Sequence, residues 1–232
     1  MKAISSMATR HVLGHLFAEA AGTGLPSVVL EALGGVDATR RVRAGEAVDL
    51  VILADDALRL LAAEGRVVGA TLVPIVRSSV AIAVPDGRDA PAARPHGAAF
   101  PSAAQLREAL LAADRIGYST GPSGTALVRM IEGWGLTDEL GPRLVQGRPG
   151  VPVAGLLAAE EVDIGLQQLS ELVGQPRIRI LGVLPQDSAI DTIFSGAVAS
   201  TATDPAGSVA VLDFLTSAPT APIKAAHSFL PV

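Results

Sequence analysis

The first 65 residues alternate short apolar runs with segments of helical period, three times in succession, and few folds accept that order. "KAISSMA" reads as a strand, and a helix over 9–21 follows, with Val12, Leu13, Leu16 and Phe17 on one face. "SVVLEAL" is the second strand, stopped at Gly34-Gly35, and a helix over 37–44 comes next with Asp37 as its expected N-cap. "VDLVILA" is the third strand. Asp55-Asp56 then opens a helix over "ALRLLAAEG", which Gly65 stops. Parallel strands need crossovers, and helices used as crossovers cover both faces of the sheet. The rhythm therefore predicts an α/β fold built on a mainly parallel sheet flanked by helices.

The rhythm breaks at "TLVPIVRSSVAIAVPDG", an extended segment long enough to pass from one lobe to another. A Pro/Ala/Gly-rich surface loop over 86–101 follows. After it come a helix over 102–113, strand "RIGYS", a helix over 124–134, strand "RLVQG", a helix over 151–160 and strand "VDIGLQ", which make a second α/β lobe. "IRILGVLP" and "DTIFSGAVAS" are extended, the latter returning the chain to the first lobe, and an amphipathic helix over 205–216 closes it. The expected division is 1–78 with 194–232 as lobe I and 79–193 as lobe II. Two such lobes leave a cleft, and ligands bind beyond the carboxyl ends of strands where helix N-termini converge. The turns that qualify are Ser5-Ser6 through Arg10, Gly34 to Asp37, Asp55-Asp56, Ser119 to Thr125, residues 147–151, and Gln167-Gln168.

Bulk properties exclude several classes of function. With 232 residues, 49% of them hydrophobic and 18% charged, the chain can bury a substantial core and is not disordered. The net charge is -5 and no basic run exists to neutralise phosphates, so nucleic acid is not an expected partner. Arg40, Arg41 and Arg43 form the densest basic cluster, and Glu46 and Asp49 nearby mark it as a solvated helix face. The absence of cysteine excludes thiol catalysis and Cys-based zinc or iron–sulfur sites. No apolar run reaches the length of a membrane span, so no membrane insertion is expected. "MKAISSMATR" lacks a signal's apolar region and cleavage site, which favours a cytoplasmic protein, or a periplasmic one if a leader has been removed.

Cofactor and metal signals are weak. There is no Walker loop and no G-x-G-x-x-G, and no cofactor is expected. Asp55 and Asp56 are adjacent, so they diverge at a helix start and read as a cap. Of the four histidines, 11, 15, 96 and 227, His11 and His15 share a helix face but lack the carboxylate of H-E-x-x-H. A surface pair and no metal site is the expectation.

Gly117 to Gly121 spells G-x-S-x-G. Ser119 followed by Asp163, Asp187 or Asp191 and then His227 reproduces the chain order of a serine hydrolase. Against that reading, no HGG-type oxyanion segment precedes the motif, and 24 glycines make it easy to reach by chance. The overlapping "GPSGT" offers different chemistry. Ser123, Gly124 and Thr125 open a helix whose free N–H groups and partial positive charge suit an anion.

Taken in order, "SSMATR", "AGEAVDLVILADDALRLLAAEG", "GPSG", "PGVPVAGLLAAEEVDIGLQQLSEL" and "FSGAVAS" resemble the type II periplasmic-binding fold, most closely the molybdate-binding protein family, over nearly the whole chain. The resemblance implies two lobes joined by a two-stranded hinge and closing on a small oxyanion, with an ABC permease as partner when the protein is exported. It carries a ligand-holding serine onto Ser5 or Ser6, a small helix-start residue onto Ser123, and a backbone-amide donor onto Val151. Two positions depart. Gly34-Gly35-Val36 replaces a hydroxyl turn, and Gln167-Gln168 replaces a tyrosine after "DIG". Those losses point away from molybdate itself. Arg10, Arg77 and Arg148 lie beside the candidate turns, and planar guanidinium groups suit carboxylates better than a compact tetrahedral oxyanion. The expected ligand is a di- or tricarboxylate or another small anion, with Ser5, Ser6, Arg10, Gly35, Arg77, Ser123, Gly124, Thr125, Val151, Gln167 and Gln168 as binding residues. Aconitate isomerase is similar to the molybdate binders, which implies the alternative of a cytosolic isomerase of an unsaturated polycarboxylate. That chemistry needs a base beside the carbon between carboxylates, and His11 is the candidate.

Overall fold

A computed structural model describes residues 1–94, 97–148 and 151–232. Parts of the expected loop over 86–101, His96 included, and of the expected turn over 147–151 lie outside the described residues. In chain order the strands are β1 (Lys2–Ser6), β2 (Val29–Leu33), β3 (Leu50–Ala54), β4 (Val73–Pro85), β5 (Ile116–Tyr118), β6 (Leu144–Gln146), β7 (Ile164–Gln168), β8 (Ile178–Val183) and β9 (Asp191–Val198). The helices are α1 (Arg10–Gly22), α2 (Gly35–Arg43), α3 (Asp55–Ala63), α4 (Ala103–Ala112), α5 (Pro122–Gly133), α6 (Thr137–Leu140), α7 (Val153–Ala158), α8 (Leu169–Leu172), α9 (Pro205–Thr216) and α10 (Ala221–Ala226). The chain forms two compact units, Met1–Ser78 with Thr192–Val232, and Ser79–Asp191, and passes between them within β4 and at the start of β9.

In the first unit β1 pairs in parallel with β2 and with β3, and β9 returns antiparallel to β3. The sheet is thus mixed, with its parallel part confined to the three strands of the opening β-α-β-α-β-α. Strand β3 is wholly buried because both its faces are covered. Leu50 and Ile52 join Val12, Leu13, Leu16, Phe17 and Leu212 in one core, whereas Val51 and Leu53 join Val42, Leu58 and Leu61 in another. Two helix starts differ from expectation. A 3-10 turn over Met7–Thr9 precedes α1, and Gly34 caps α2, so Asp37 falls in the first turn and pairs with Arg40 at 2.8 Å instead of capping. The closing helix α9 matches its expected span, but α10 follows it, and Leu230 then bridges the backbone of Arg77.

The arginine cluster on α2 is a solvated face, as the sequence suggests, with Arg40 and Arg43 exposed, and carboxylates hold it in place. Arg41 holds Glu46 through Nε at 2.5 Å and Nη2 at 2.6 Å, and Glu31 through Nη1 at 2.6 Å and Nη2 at 3.0 Å. Lys2 Nζ also donates to Glu46 at 2.7 Å. The hydrogen bonds from Arg41 and then Lys2 push the Glu46 carboxyl down to about 2. Arg43 pairs with Glu64 at 2.7 Å, so each basic charge of the cluster has a carboxylate partner.

In the second unit the strand order is β8-β4-β7-β5-β6, with β7, β5 and β6 parallel and β4 antiparallel to both β7 and β8. Along β4 the larger Val80, Ile82 and Val84 face a core with Leu106, Leu110, Leu127 and Ile131. The intervening Ala81 and Ala83 face Val153, Leu156 and Leu157 of α7. That helix lies close to the strands, and glycines make the room. A Cβ on Gly165 would sit 2.5 Å from Val153 Cγ1, and one on Gly117 would sit 2.9 Å from Val162 Cγ2. The glycines of "RIGYS" and "VDIGLQ" are therefore packing residues of the sheet. No helix among the described residues is long and apolar enough to cross a membrane.

Candidate functional site

In the first unit three helices begin at the carboxyl ends of parallel strands, where their unpaired N–H groups collect. They are not equally open. At α3 the protein supplies its own anions. Asp55 accepts from Ser195 Oγ at 2.6 Å and from Arg59 Nε at 2.5 Å, and Asp56 accepts from the N–H of Ala57 at 2.8 Å. Burial opposes ionisation of Asp55, but the bonds from Ser195 and Arg59 outweigh it and hold the carboxyl below its ordinary value. At α2 the first amide bonded back is that of Ala38, to Gly34 O at 2.9 Å. Among the described residues the N–H groups of Gly35, Val36 and Asp37 have no partner. A Cβ added at Gly35 would meet nothing within 4 Å, so no packing demand accounts for that glycine.

Ser6 lies beside this opening, because it is in register with Leu33 at the end of β2. Ser5 and Ser6 separate cleanly in role. Ser5 is fully buried and its Oγ donates to Ser6 O at 3.1 Å, as does Thr9 Oγ1 at 3.0 Å, so these two hydroxyls brace the turn. Ser6 is partly exposed and its hydroxyl makes no capping bond. Arg10 and His11 are exposed at the start of α1, with Arg10 Nη2 2.9 Å from His11 Nε2. Arg77 is half-buried on β4, its backbone bonded to Leu230 in both directions at 3.1 and 2.8 Å.

The turns of the second unit are more self-contained than their sequence suggests. Pro122 has no N–H, and those of Gly124 and Thr125 both donate to Gly121 O, at 3.0 and 3.1 Å. Among the first-turn amides of α5 that leaves Ser123. Its buried Oγ lies 2.9 Å from Ser119 Oγ. The N–H of Val151 donates to Arg148 O at 2.9 Å, so that amide is already engaged. Gln167, 3% exposed, accepts the N–H of Val153 at 2.9 Å and so caps α7 through its side chain. Gln168 is equally buried and occupies the N-cap position of α8. Arg148, beside the turn, is exposed and pairs with Glu161 at 3.1 Å.

Within each unit the residues of the serine-hydrolase order have local partners. Ser119 Oγ is partnered by Ser123, while His227, in the other unit, meets His15 at 3.4 Å. Burial first, then the neighbouring His15 and His11, lower the pKa of His227. Asp163 accepts from Arg88 Nη1 and from the N–H of Arg115, both at 2.8 Å. Asp187 receives the N–H of Ala103 at 2.9 Å, at the start of α4. Asp163 and Asp187 thus serve local structure. Sequence reasoning missed the Ser195–Asp55 bond, and it named the turn from Gly34 to Asp37 without the open amides of Val36 and Asp37 as separate donors. The first joins residues 140 apart and has no local signal, whereas the second follows once Gly34 is recognised as the cap.

The comparisons with known proteins agree with this architecture. Residues 2–230 match the family described as bacterial extracellular solute-binding protein. Aconitate isomerase of a Pseudomonas species is 30% identical over 177 residues, covering 76% of this chain and 65% of that enzyme. The chain thus spans less than two thirds of that relative's length. The periplasmic molybdate-binding protein of Azotobacter vinelandii superposes with a TM-score of 0.78 at 14% identity, covering 100% of this chain and 99% of that one. The sulfate-binding protein of Mycobacterium tuberculosis superposes with a TM-score of 0.74 at 17% identity, covering 100% and 86%. At such identities these two likenesses establish the fold, that of the type II periplasmic binding proteins. With the family match running over almost its full length, the chain belongs to the bacterial extracellular solute-binding protein family.

Proposed function

We propose that this protein binds a small anion, a polycarboxylate or an oxyanion, at the start of α2. The observation that carries the reading is the set of three open amides at Gly35, Val36 and Asp37, in a turn where nothing crowds Gly35. Helix-terminal N–H groups and the helix dipole favour negative charge there. Ser6 adds a hydroxyl, and Arg10 adds a guanidinium whose fork geometry favours carboxylate. The solute-binding family and the molybdate- and sulfate-binding neighbours support an anion as ligand. In this reading the protein works outside the cytoplasmic membrane and hands its anion to an ABC permease.

A thermal-shift screen of molybdate, sulfate, citrate and trans-aconitate tests the proposal, since a ligand that binds only the folded chain raises the melting temperature. At least one should do so, and the reading fails if none does. Gly35→Ala separates ligand from scaffold. Its methyl group meets no protein atom, so stability should hold, while affinity falls at least about tenfold as the methyl blocks approach to the amides. Unchanged affinity would remove α2 from the site.

A second reading, isomerisation of an unsaturated tricarboxylate, draws on the similarity to aconitate isomerase and on the Arg10–His11 contact. That chemistry requires a base beside the reacting carbon, and His11 is the histidine exposed at this turn. The ultraviolet absorbance of trans-aconitate should then decay with protein present, and decay should be lost in His11→Gln. A trace identical to buffer rules out that substrate.

A further inference from the structure

Away from the anion turn, the fold brings together histidines that the sequence keeps apart. His15 lies on α1 and His227 follows α10, 212 residues later, with His15 Nδ1 3.4 Å from His227 Nε2. The rings meet edge-on, their centroids 5.6 Å apart. We propose that His15 and His227 are the two primary ligands of a divalent transition-metal site of zinc-like chemistry, with His11 as its third ligand.

The spacing is that of a metal site. With Zn–N bonds of about 2.0–2.1 Å, two ligand nitrogens of a tetrahedral centre lie roughly 3.3–3.4 Å apart. The backbones are therefore at the right separation, and only the rings must tilt to converge. A carboxylate also lies near the second nitrogen of His15. Glu19 Oε1 lies 3.9 Å from His15 Nε2. A carboxylate on the far side of the ring is the outer neighbour found in carboxylate–histidine–metal arrangements.

His227 is presented by a pinned backbone. Its N–H donates to Ile223 O at 3.2 Å and to Lys224 O at 3.1 Å, Phe229 next to it is buried, and Leu230 is bonded to Arg77. His11 is one helical turn before His15 on α1 and close enough to act electrostatically on His227. Among the described residues no three such groups already converge on an ion position. The third ligand is recruited by rotation of His11 away from Arg10, whose Nη2 it now accepts at 2.9 Å. Imidazole suits zinc, copper and nickel, and water completes the exposed coordination sphere. A bound ion would fasten the end of α10 to α1 and release Arg10 beside the start of that helix.

The test titrates zinc chloride into the full chain at neutral pH in a non-chelating buffer, followed by calorimetry, with imidazole proton NMR as a second readout. One equivalent should bind. His15→Gln and His227→Gln should each weaken binding at least about tenfold, His11→Gln less, and His96→Gln not at all. The ring signals of both His15 and His227 should shift together, which keeps the outcome readable even if a variant is destabilised. Absence of binding overturns the proposal, as does binding retained in both primary variants or zinc that leaves the two ring signals unmoved.

Discussion

Gly124→Ala is expected to destabilise the protein by about 3 kcal/mol, at the upper end of what overpacking costs, and without any ligand being involved. The added Cβ would lie 1.8 Å from the carbonyl oxygen of Ser119, 2.8 Å from its carbon and 3.0 Å from Tyr118 Cδ2. The nearest two are backbone atoms and cannot swing aside as a flexible side chain would. They follow directly from β5, which is held in parallel register by β6 and β7. Relief requires α5 to slide, and α5 places Leu127 and Ile131, each 1% exposed, in the core. Urea unfolding should show a lower midpoint with an unchanged slope. Gly133→Ala, on the same helix with nothing within 4 Å of its added Cβ, is the control and should leave the midpoint near its starting value. A Gly124→Ala protein as stable as that control would mean that the close approach of α5 to Ser119 is wrong. The expected result assigns the glycine of "GPSG" to helix–strand packing, the role it shares with Gly117 and Gly165.

Asp49→Ala is expected to cost about 2–3 kcal/mol at neutral pH, because it strands several donors at once. The carboxylate is 6% exposed and accepts from the N–H of Lys2 at 2.8 Å, the N–H of Thr203 at 2.8 Å and Thr203 Oγ1 at 2.9 Å. It thereby ties the start of β1 to the connection that follows β9. Burial opposes its charge, yet these bonds outweigh burial and hold the Asp49 carboxyl below its ordinary value. A carboxyl with a depressed folded-state pKa contributes stability that is complete above its unfolded value and is lost as pH falls through the folded one. Glu46, pushed down to about 2, and Asp55, also lowered, act in the same direction. Stability should therefore be nearly flat around neutrality and fall between roughly pH 5 and pH 2. Asp49→Asn keeps the shape but cannot ionise. Its stability gap to the unsubstituted protein should narrow as pH drops through that window, measured by denaturant unfolding at each pH. A gap that stays constant from neutral to acid pH would show that Asp49 is not linked to folding as its bonds imply.

Much of the fold was legible because the relevant rules are local. The run "VDLVILA" is apolar throughout since both faces of β3 are covered, and continuous apolarity bounded by polar residues is what such a strand looks like in sequence. Pro122 ahead of Ser123 marks a helix start through its fixed φ and missing N–H, and α5 begins there. Gly34 was harder to read. A glycine cap and an aspartate two residues into the helix both satisfy local preferences, and the sequence pattern favours Asp37, three residues after the cap at Gly34.

The candidate site was legible only as a set of turns. Sequence alone established that glycine, serine and arginine sit at the carboxyl ends of strands in a chain of alternating strands and helices. It did not establish which of those groups are free. Gln167 looked like a ligand donor until its amide oxygen was found on Val153, 14 residues away, and Asp55 looked like a simple cap until Ser195 was found on it, 140 residues away. His15 and His227 were a surface pair member and a tail residue until packing of the C-terminal segment against α1 joined them. A side chain's period and its helix or strand preference depend on neighbours within a turn or two, so they are written along the chain. The partner of a carboxylate, an amide or an imidazole is chosen by which distant backbone packs beside it, and that is decided only when the sheets and helices close around their cores.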